Sequence, residues 1–146
     1  MDYYINCEKS TLDPVIIQRL LEDCFWSKNI PLSLVEKFIK HSLCFGAYSQ
    51  TTNKLIGFGR VISDYTTFAY ITDVVINPLH RNKGIGTTLI NDIFAHPELQ
   101  NLKTWSLRTT KEARAIYINL GFVTAKNPET LLEIENLNIY SDEVKI

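Results

Sequence analysis

A strand, a short basic loop and a helix follow one another between Asp73 and Leu89, and this succession constrains the chain more than any other feature. The β-branched run at residues 74–76 predicts a buried strand, which an Asn-Pro pair ends. Gly84 and Gly86 then precede apolar residues spaced by four, a spacing typical of an amphipathic helix. The segment therefore predicts a strand that leads directly into a helix.

The loop between this strand and this helix has the chemistry of an anion site. Backbone N–H groups at a helix start point outward and carry part of the helix dipole. Arg81 and Lys83 add positive charge at the same place, and the two glycines let a ligand approach the main chain closely. We interpret the loop as a pocket for a phosphorylated ligand, above all a pyrophosphate. The alternative is an ordinary turn with a solvated Arg and Lys.

Two other phosphate motifs fit this loop poorly. A Walker-A loop places a Lys directly after its last glycine, whereas here the lysine precedes Gly84 and Thr87 follows Gly86. A dinucleotide fingerprint requires a third glycine, which is missing. Nucleotide hydrolysis is therefore a distant alternative.

Two sequence blocks resemble GCN5-related N-acetyltransferases, the GNAT family. The block Arg81-Asn82-Lys83-Gly84-Ile85-Gly86 is similar to the family's Arg/Gln-x-x-Gly-x-Gly/Ala signature, whose loop holds the pyrophosphate of acetyl-coenzyme A (acetyl-CoA). Residues 113–122 resemble its Ala-x-x-x-Tyr-x-x-x-Gly-Phe segment, in the family's order and separation. A group of small bacterial members is similar from about Tyr3 to Tyr140, and the further matching stretches are Phe25-Trp26 and residues 41–46, 57–65, 68–70 and 95–97.

The resemblance implies a mixed α/β sheet in the GNAT acyl-CoA N-acyltransferase fold, with splayed central strands that form a cofactor cleft. Period-two and helical patterns along the chain agree with such a sheet. The predicted strands cover residues 3–7, 43–49, 55–63, 68–76, 103–108, 122–124 and 130–135. The predicted helices start at Pro14 behind an Asp13 cap, at a Ser33–Glu36 capping box, at Gly84, and at a Thr109–Glu112 capping box before a Gly121 C-terminal cap.

Composition restricts the possible partners. A length of 146 residues suits a single N-acetyltransferase domain over residues 1–146. A net charge of −1 gives no overall basic field, so we expect no nucleic-acid partner. No apolar run is long enough to span a bilayer, and we expect no membrane partner. Three cysteines far apart indicate neither a disulfide framework nor a metal site, so we expect a cytoplasmic protein without a metal. We expect a monomer or a homodimer.

By resemblance, main-chain groups hold the cofactor. The backbone of Val74, Val75 and Ile76 would pair with the pantetheine arm as a neighbouring strand does. The amides of the loop and first helical turn would receive the pyrophosphate; the residues concerned are Arg81, Asn82, Lys83, Gly84, Ile85, Gly86 and Thr87. Asn82 replaces a frequent glycine of the family, which matters little where amides bind. Asn119 is a weaker candidate for a cofactor contact.

Two residues are candidates for proton transfer. Tyr117 lies one turn before Gly121-Phe122, where the family has a tyrosine near the cofactor sulfur. A phenol titrates near 10 and a thiol near 8.5, so this tyrosine can hydrogen-bond to a departing thiolate and reprotonate it at modest cost. The alternative role is core packing. Asp73 is the best acidic candidate for a general base acting through water, and an equally weighted alternative is a hydrogen-bonded structural carboxylate.

Five residues are candidates for the acceptor pocket, namely Phe25, Trp26, Arg60, Tyr65 and Tyr70. Phe25 and Trp26 lie in the connection after the first helix, which usually lines the substrate in this family. Tyr70 lies on a central strand. Arg60 has two open interpretations, a contact with an acidic group of the acceptor or a structural bridge to Asp64.

The sequence thus predicts an acetyl-CoA-dependent N-acetyltransferase. It would move the acetyl group to a primary amine of a small molecule by direct transfer in a ternary complex, without a metal or a covalent enzyme intermediate. The alternative function is a non-catalytic CoA-binding sensor or interaction module with the same fold.

Overall fold

The structure, a computed structural model, describes residues 2–141. It has the predicted mixed α/β architecture, with five strands and four α-helices in the described part of the chain. In chain order these are β1 (Tyr3–Asn6), α1 (Pro14–Glu22), α2 (Leu32–His41), β2 (Leu43–Ser49), β3 (Leu55–Ser63), β4 (Phe68–Ile76), α3 (Ile85–Phe94), β5 (Thr104–Leu107) and α4 (Arg114–Asn119).

The strands form one sheet in the order β1-β2-β3-β4-β5. Each of the first four strands is antiparallel to its neighbours. Turns join β2 to β3 and β3 to β4, whereas α1 and α2 lie between β1 and β2. β5 is parallel to β4, and parallel neighbours require a crossover, which α3 supplies. The predicted mixed α/β sheet, in which a strand leads into a helix after residue 76, is confirmed.

β4 and β5 separate halfway along β4. Their pairing covers Phe68–Ile71 against Thr104–Leu107, so residues 72–76 have β3 on one side and no described strand on the other. A β-bulge lies at the same point, where Asp73 adopts a φ of 57°. Because a bulge bends its strand and increases the local twist, it accounts for the separation. An open strand edge results at the middle of the sheet.

The helices cover both faces of the sheet. On one face α1 and α2 bury Ile17, Leu21 and Val35 against Phe58 of β3. On the other face α3 buries its apolar stripe in a second cluster with Phe45 and Val61. Burial of apolar surface from each helix onto the sheet is the main stabilising contribution to this arrangement. In the described part of the chain, no helix has the length and apolar character needed to cross a membrane.

Helix ends follow the sequence signals at some positions only. Asp13 caps α1 as predicted, since Oδ1 accepts from Val15 N at 2.9 Å. The Ser33–Glu36 capping box is wrong, because α2 already starts at Leu32. The Thr109–Glu112 box is also wrong: α4 starts at Arg114, and Thr110 Oγ1 instead accepts from Ala113 N at 3.2 Å.

The chain after α4 departs most from the prediction. Gly121 has a φ of 104° and follows the C-cap of α4, as predicted for a C-terminal cap. The strands predicted at 122–124 and 130–135 are wrong, since neither segment pairs with another strand. An alternating pattern forms a strand only if a hydrogen-bonding partner is available. Pro128 interrupts the stretch with a 3₁₀ turn, and Leu132 is 91% exposed.

Candidate active site

A cavity of about 810 Å³ opens where β4 leaves β5. The structure brings four of the five predicted acceptor residues to its wall, namely Phe25, Trp26, Arg60 and Tyr70, whereas Tyr65 does not line it. Asp73, Val74, Gly86 and Tyr117 line the same cavity. Residues from the α1–α2 connection, β3, β4, α3 and α4 thus converge on one space that the sheet opening creates.

The loop before α3 presents unpaired main-chain donors. Within residues 2–141, none of the backbone N–H groups of residues 81–87 donates to a protein acceptor. The first helical bond runs from Thr88 N to Gly84 O at 3.1 Å, so α3 begins with free amides. Gly84 makes this possible because it adopts a φ of 78°, which L side chains rarely tolerate. The row of amides and the helix dipole together favour an anion.

The side chains of this loop leave the amides accessible. Arg81, Asn82 and Lys83 are exposed, and neither basic side chain has a carboxylate within 4 Å among the described residues. Arg81 Nε donates to Ile76 O at 3.3 Å, which ties the loop to the end of β4. Ile85 is buried in the core, so only its main chain is available to a ligand.

A hydrogen-bonded contact from Tyr3 of β1 supports the start of α3, and the sequence did not predict it. The Tyr3 hydroxyl lies 2.7 Å from Thr88 Oγ1 and donates to Gly84 O at 3.4 Å. A contact across 85 residues leaves no local signal in the sequence. The fold explains this contact, because α3 packs across one face of the sheet and reaches β1 at its edge.

Tyr117 packs in the core and also lines the cavity. Its ring is buried on α4 and meets Phe122 edge-on at 5.8 Å between centroids. Burial raises the pKa of Tyr117 to about 12. Its hydroxyl has no hydrogen-bond partner among the described residues. Every buried side-chain N or O atom of those residues does have such a partner, so this hydroxyl is not buried. The hydroxyl is therefore accessible from the cavity while the ring packs in the core.

Asp73 is held by two donors from different elements. Trp26 Nε1 donates to Oδ1 at 2.9 Å, and Arg60 Nε donates to Oδ2 at 2.6 Å. The residue is 9% exposed. Both carboxylate oxygens are engaged, which matches the structural alternative that the sequence left open for this residue.

The proposed Arg60–Asp64 bridge is wrong. Asp64 instead closes its own turn by accepting from Thr66 N, Thr67 N and Thr67 Oγ1. Those hydrogen bonds, chiefly from Thr67, hold the pKa of Asp64 below its usual range. Asx-type turns satisfy a carboxylate locally, so a nearby arginine is not required.

Arg60 also contacts a residue that the sequence analysis missed. Its guanidinium carbon lies 4.2 Å from the centroid of the Phe38 ring. Phe38 faces the cavity from α2, as do Lys37 and His41. The helical spacing of α2 was the available signal, since these residues share one face.

Of the predicted cofactor residues, only Val74 and Gly86 line this cavity, whereas residues 75, 76, 81–85 and 87 do not. Asn119 also lies apart from it. It is exposed at the last position of α4 and does not contribute to the cavity wall. The residues that line the cavity here are Ala113, at the N-cap of α4, and Ile116 and Tyr117. They lie on the face of the helix away from Asn119.

Comparison with known proteins agrees with this architecture. Residues 40–124 match the model of the acetyltransferase (GNAT) domain. A crystal structure of a GNAT-family acetyltransferase from Xanthomonas campestris pv. campestris is 41% identical with a TM-score of 0.89, covering 95% of this chain and 96% of that one. An acetyltransferase from Clostridium acetobutylicum, solved with acetyl-CoA, has a TM-score of 0.65 at 16% identity over 91% and 94% of the two chains.

One curated relative is the N-acetyltransferase ycf52 of Gracilaria tenuistipitata var. liui, which is 30% identical over 113 residues. That match covers 74% of this chain and 60% of the relative, so the chain spans less than two thirds of the relative's length. The family model covers more than half of the chain, and the crystal structure from Xanthomonas matches nearly all of it. The chain belongs to the GNAT family of N-acetyltransferases.

Proposed function

We propose that this chain transfers an acetyl group from acetyl-CoA to a primary amine of a small molecule, directly and within a ternary complex. The observation that carries the proposal is the row of unpaired amides at residues 81–87, next to the open edge of β4 and the cavity. Bound acetyl-CoA would supply an activated thioester acyl group there.

The donor set fits this cofactor. A pyrophosphate requires several convergent N–H donors, and residues 81–87 offer them at a helix start. The pantetheine arm contains amides, which require a strand-like partner. Residues 74–76 would serve this purpose, because β4 has no neighbour on that side in the described chain.

Tyr117 is the proposed proton donor. With a pKa of about 12, its hydroxyl holds its proton throughout the neutral range and can donate a hydrogen bond to the departing sulfur. The raised pKa makes the phenol a weaker acid than a thiol, so a phenolate left by full transfer takes back, through water, the proton that the nitrogen releases as the amide forms. Tyr117 lines the cavity from α4, and Asp73 and Val74 line it from β4. The role requires a hydroxyl rather than a ring alone.

Asp73 is proposed as a positioning residue rather than a base. Its two hydrogen bonds hold Trp26 and Arg60 in the wall of the cavity. In that case no side chain deprotonates the incoming ammonium ion. An alkyl amine that titrates near 10 is neutral to about one part in a thousand at pH 7, and we propose that this fraction is the one that reacts.

Removal of the Tyr117 hydroxyl tests the proposal. Thiol release from acetyl-CoA is measured over a panel of amines for the wild type and for Tyr117→Phe. We expect the variant to lose about 10²-fold or more in kcat, while calorimetry shows CoA binding within a factor of about three of the wild type. Tyr4→Phe is the matched control, since that hydroxyl contacts only Asn53 at the surface, 3.1 Å from Oδ1.

Three results would contradict it. A Tyr117→Phe variant with unchanged kcat would remove the tyrosine from the mechanism. Parallel double-reciprocal plots, typical of a covalent enzyme intermediate, would contradict the ternary complex. Tight CoA binding without turnover on any amine would favour the non-catalytic alternative.

A further inference from the structure

Resting on the proposed function, we infer that the amine acceptor carries an anionic group, a carboxylate or a phosphate, which Arg60 binds beside Lys37 and His41. The inference depends on how Arg60 is held and on which charges in the cavity wall are already neutralised. It specifies the acceptor beyond a small molecule with a primary amine.

Arg60 is immobilised with most of its donors unused. Nε donates to Asp73 at 2.6 Å, and the guanidinium stacks on Phe38 at 4.2 Å. A guanidinium has five N–H donors, and the four on the two terminal nitrogens have no protein acceptor among residues 2–141. Every buried side-chain nitrogen of the described residues has a hydrogen-bond partner, so these unpaired donors of Arg60 are not buried. Arg60 lines the cavity, where a ligand can reach them.

An arginine held in this way suits a planar or tetrahedral anion. The pair of terminal nitrogens matches the two oxygens of a carboxylate or phosphate in a bidentate contact. Little side-chain entropy is lost on binding, because the side chain is only 18% exposed and is already fixed on two sides. Immobilisation therefore favours recognition of a ligand over a purely structural role.

The remaining charges of the cavity wall add positive potential. The two carboxylates that line it, Asp73 and Glu135, are each paired, with Arg60 and Arg108 respectively. Lys37 lines the same wall and has no carboxylate within 4 Å among the described residues. His41 lies one helical turn further on the same face of α2. The excess charge of this wall is thus positive.

The sheet register limits the size of the acceptor. Arg60 pairs with Thr72 across β3 and β4, two residues before Val74, where the cofactor arm is proposed to bind. Two residues of a strand span about 7 Å. We therefore expect a compact acceptor, whose anionic group and amine are a few bonds apart on a body that packs against Trp26 and Tyr70.

Matched acceptors test the inference. Thiol release is measured for L-phenylalanine against phenethylamine, which lacks the carboxylate, and for O-phosphoethanolamine against ethanolamine. We expect the anionic member of at least one pair to have a kcat/KM about tenfold to a hundredfold higher. The two pairs distinguish a carboxylate from a phosphate. Equal rates, or a preference for the neutral members, would overturn the inference.

Variants assign the preference to these residues. Lys37→Gln changes an exposed side chain without a protein partner, so it should fold normally and lower the preference severalfold through KM. Arg60→Lys should abolish the preference, because an ammonium cannot form the bidentate contact. Lys54→Gln, on the turn outside the cavity, is the matched control. A loss in Lys37→Gln that is equal for both members of a pair would contradict the assignment.

A binding experiment covers the case in which no panel amine is acetylated. Calorimetry compares 3-phenylpropanoate with 3-phenylpropanamide on the CoA-bound protein. Tighter binding of the acid, lost in Lys37→Gln, supports the inference, whereas equal binding of the two overturns it. Failure of the proposed function is separate, because it appears as absent CoA binding or as absent turnover whichever charge the acceptor carries.

Discussion

At the scale of single residues, Asp73 connects three parts of the molecule through one carboxylate. It lies on the bulge of β4, accepts from Trp26 of the α1–α2 connection, and pairs with Arg60 of β3. A buried carboxylate with two donors costs little once it is paired but a great deal when one partner is removed. The acceptor side of the cavity therefore depends on this residue for its shape.

Replacement of the Asp73 carboxylate should destabilise the protein strongly. In Asp73→Asn, Arg60 is left without its counter-charge while it is still largely buried, and we expect a loss of about 3 kcal/mol in the free energy of unfolding. Trp26→Phe keeps an aromatic ring and removes one hydrogen bond, so its cost should be about 1 kcal/mol. Urea denaturation measures both, and equal costs for the two variants would contradict the account.

The pH dependence of the rate should follow the acceptor amine. Tyr117 must be protonated to act as an acid, and its pKa is raised to about 12 by burial, so its ionisation removes activity only above that pH. Without a side-chain base, kcat/KM should rise about tenfold per pH unit until the pKa of the amine. Initial rates between pH 6 and 9.5 test this expectation. A plateau near neutral pH would indicate a base on the enzyme.

Partners at this scale were harder to predict than residue types. The sequence indicated that Asp73 and Arg60 matter, but not that they pair with one another. Their pairing depends on the register of β3 and β4, which a bulge shifts by one residue. Asp64 was the nearer carboxylate in sequence, yet its own turn satisfies it.

At the scale of elements, the start of α3 determines whether a diphosphate can reach the main-chain amides. Two glycines occur there, and each is needed for a different reason. Gly84 adopts a φ of 78°, whereas a Cβ on Gly86 would lie 3.8 Å from Ile76, an ordinary contact distance. The backbone therefore requires Gly84, while Gly86 lines the cavity and leaves room for a ligand.

The two alanine substitutions should separate these two requirements. Gly84→Ala places a side chain in the left-handed region and should cost about 1 kcal/mol of stability. Gly86→Ala should leave the melting temperature nearly unchanged and weaken CoA binding about tenfold or more, because its methyl group obstructs the approach to the amides. Calorimetry and thermal unfolding measure the two effects. Unchanged CoA affinity in Gly86→Ala would remove the requirement for close approach.

Elements were predictable where local periodicity and burial agree. The meander of β2–β4 and the helices α1 and α3 have clear patterns, and the structure confirms them within a few residues. The pattern after Gly121 alternates equally well, but the strands predicted there find no partner in the described chain. Pairing is a non-local property, and a short apolar pattern does not specify it.

At the scale of the whole molecule, one interruption of the sheet produces the site. β4 leaves β5 after Ile71, and this opening provides both the free strand edge and the cavity. The loop and first helical turn at residues 81–87 lie next to this opening, because the chain passes from β4 directly into α3 on its way to β5. The resemblance of the two motif blocks implied this topology. The spacing of α2 indicated which of its residues share a face, but only tertiary packing brings that face to the cavity.

The central claim is that the amides of residues 81–87 bind the diphosphate of CoA. A ¹⁵N–¹H NMR titration of the protein with CoA tests it most directly, with 3′-dephospho-CoA as a second ligand that keeps the diphosphate. We predict that these amide signals shift most of all backbone signals, and equally with both ligands. Saturable CoA binding that leaves the signals of residues 81–87 unmoved would contradict the account.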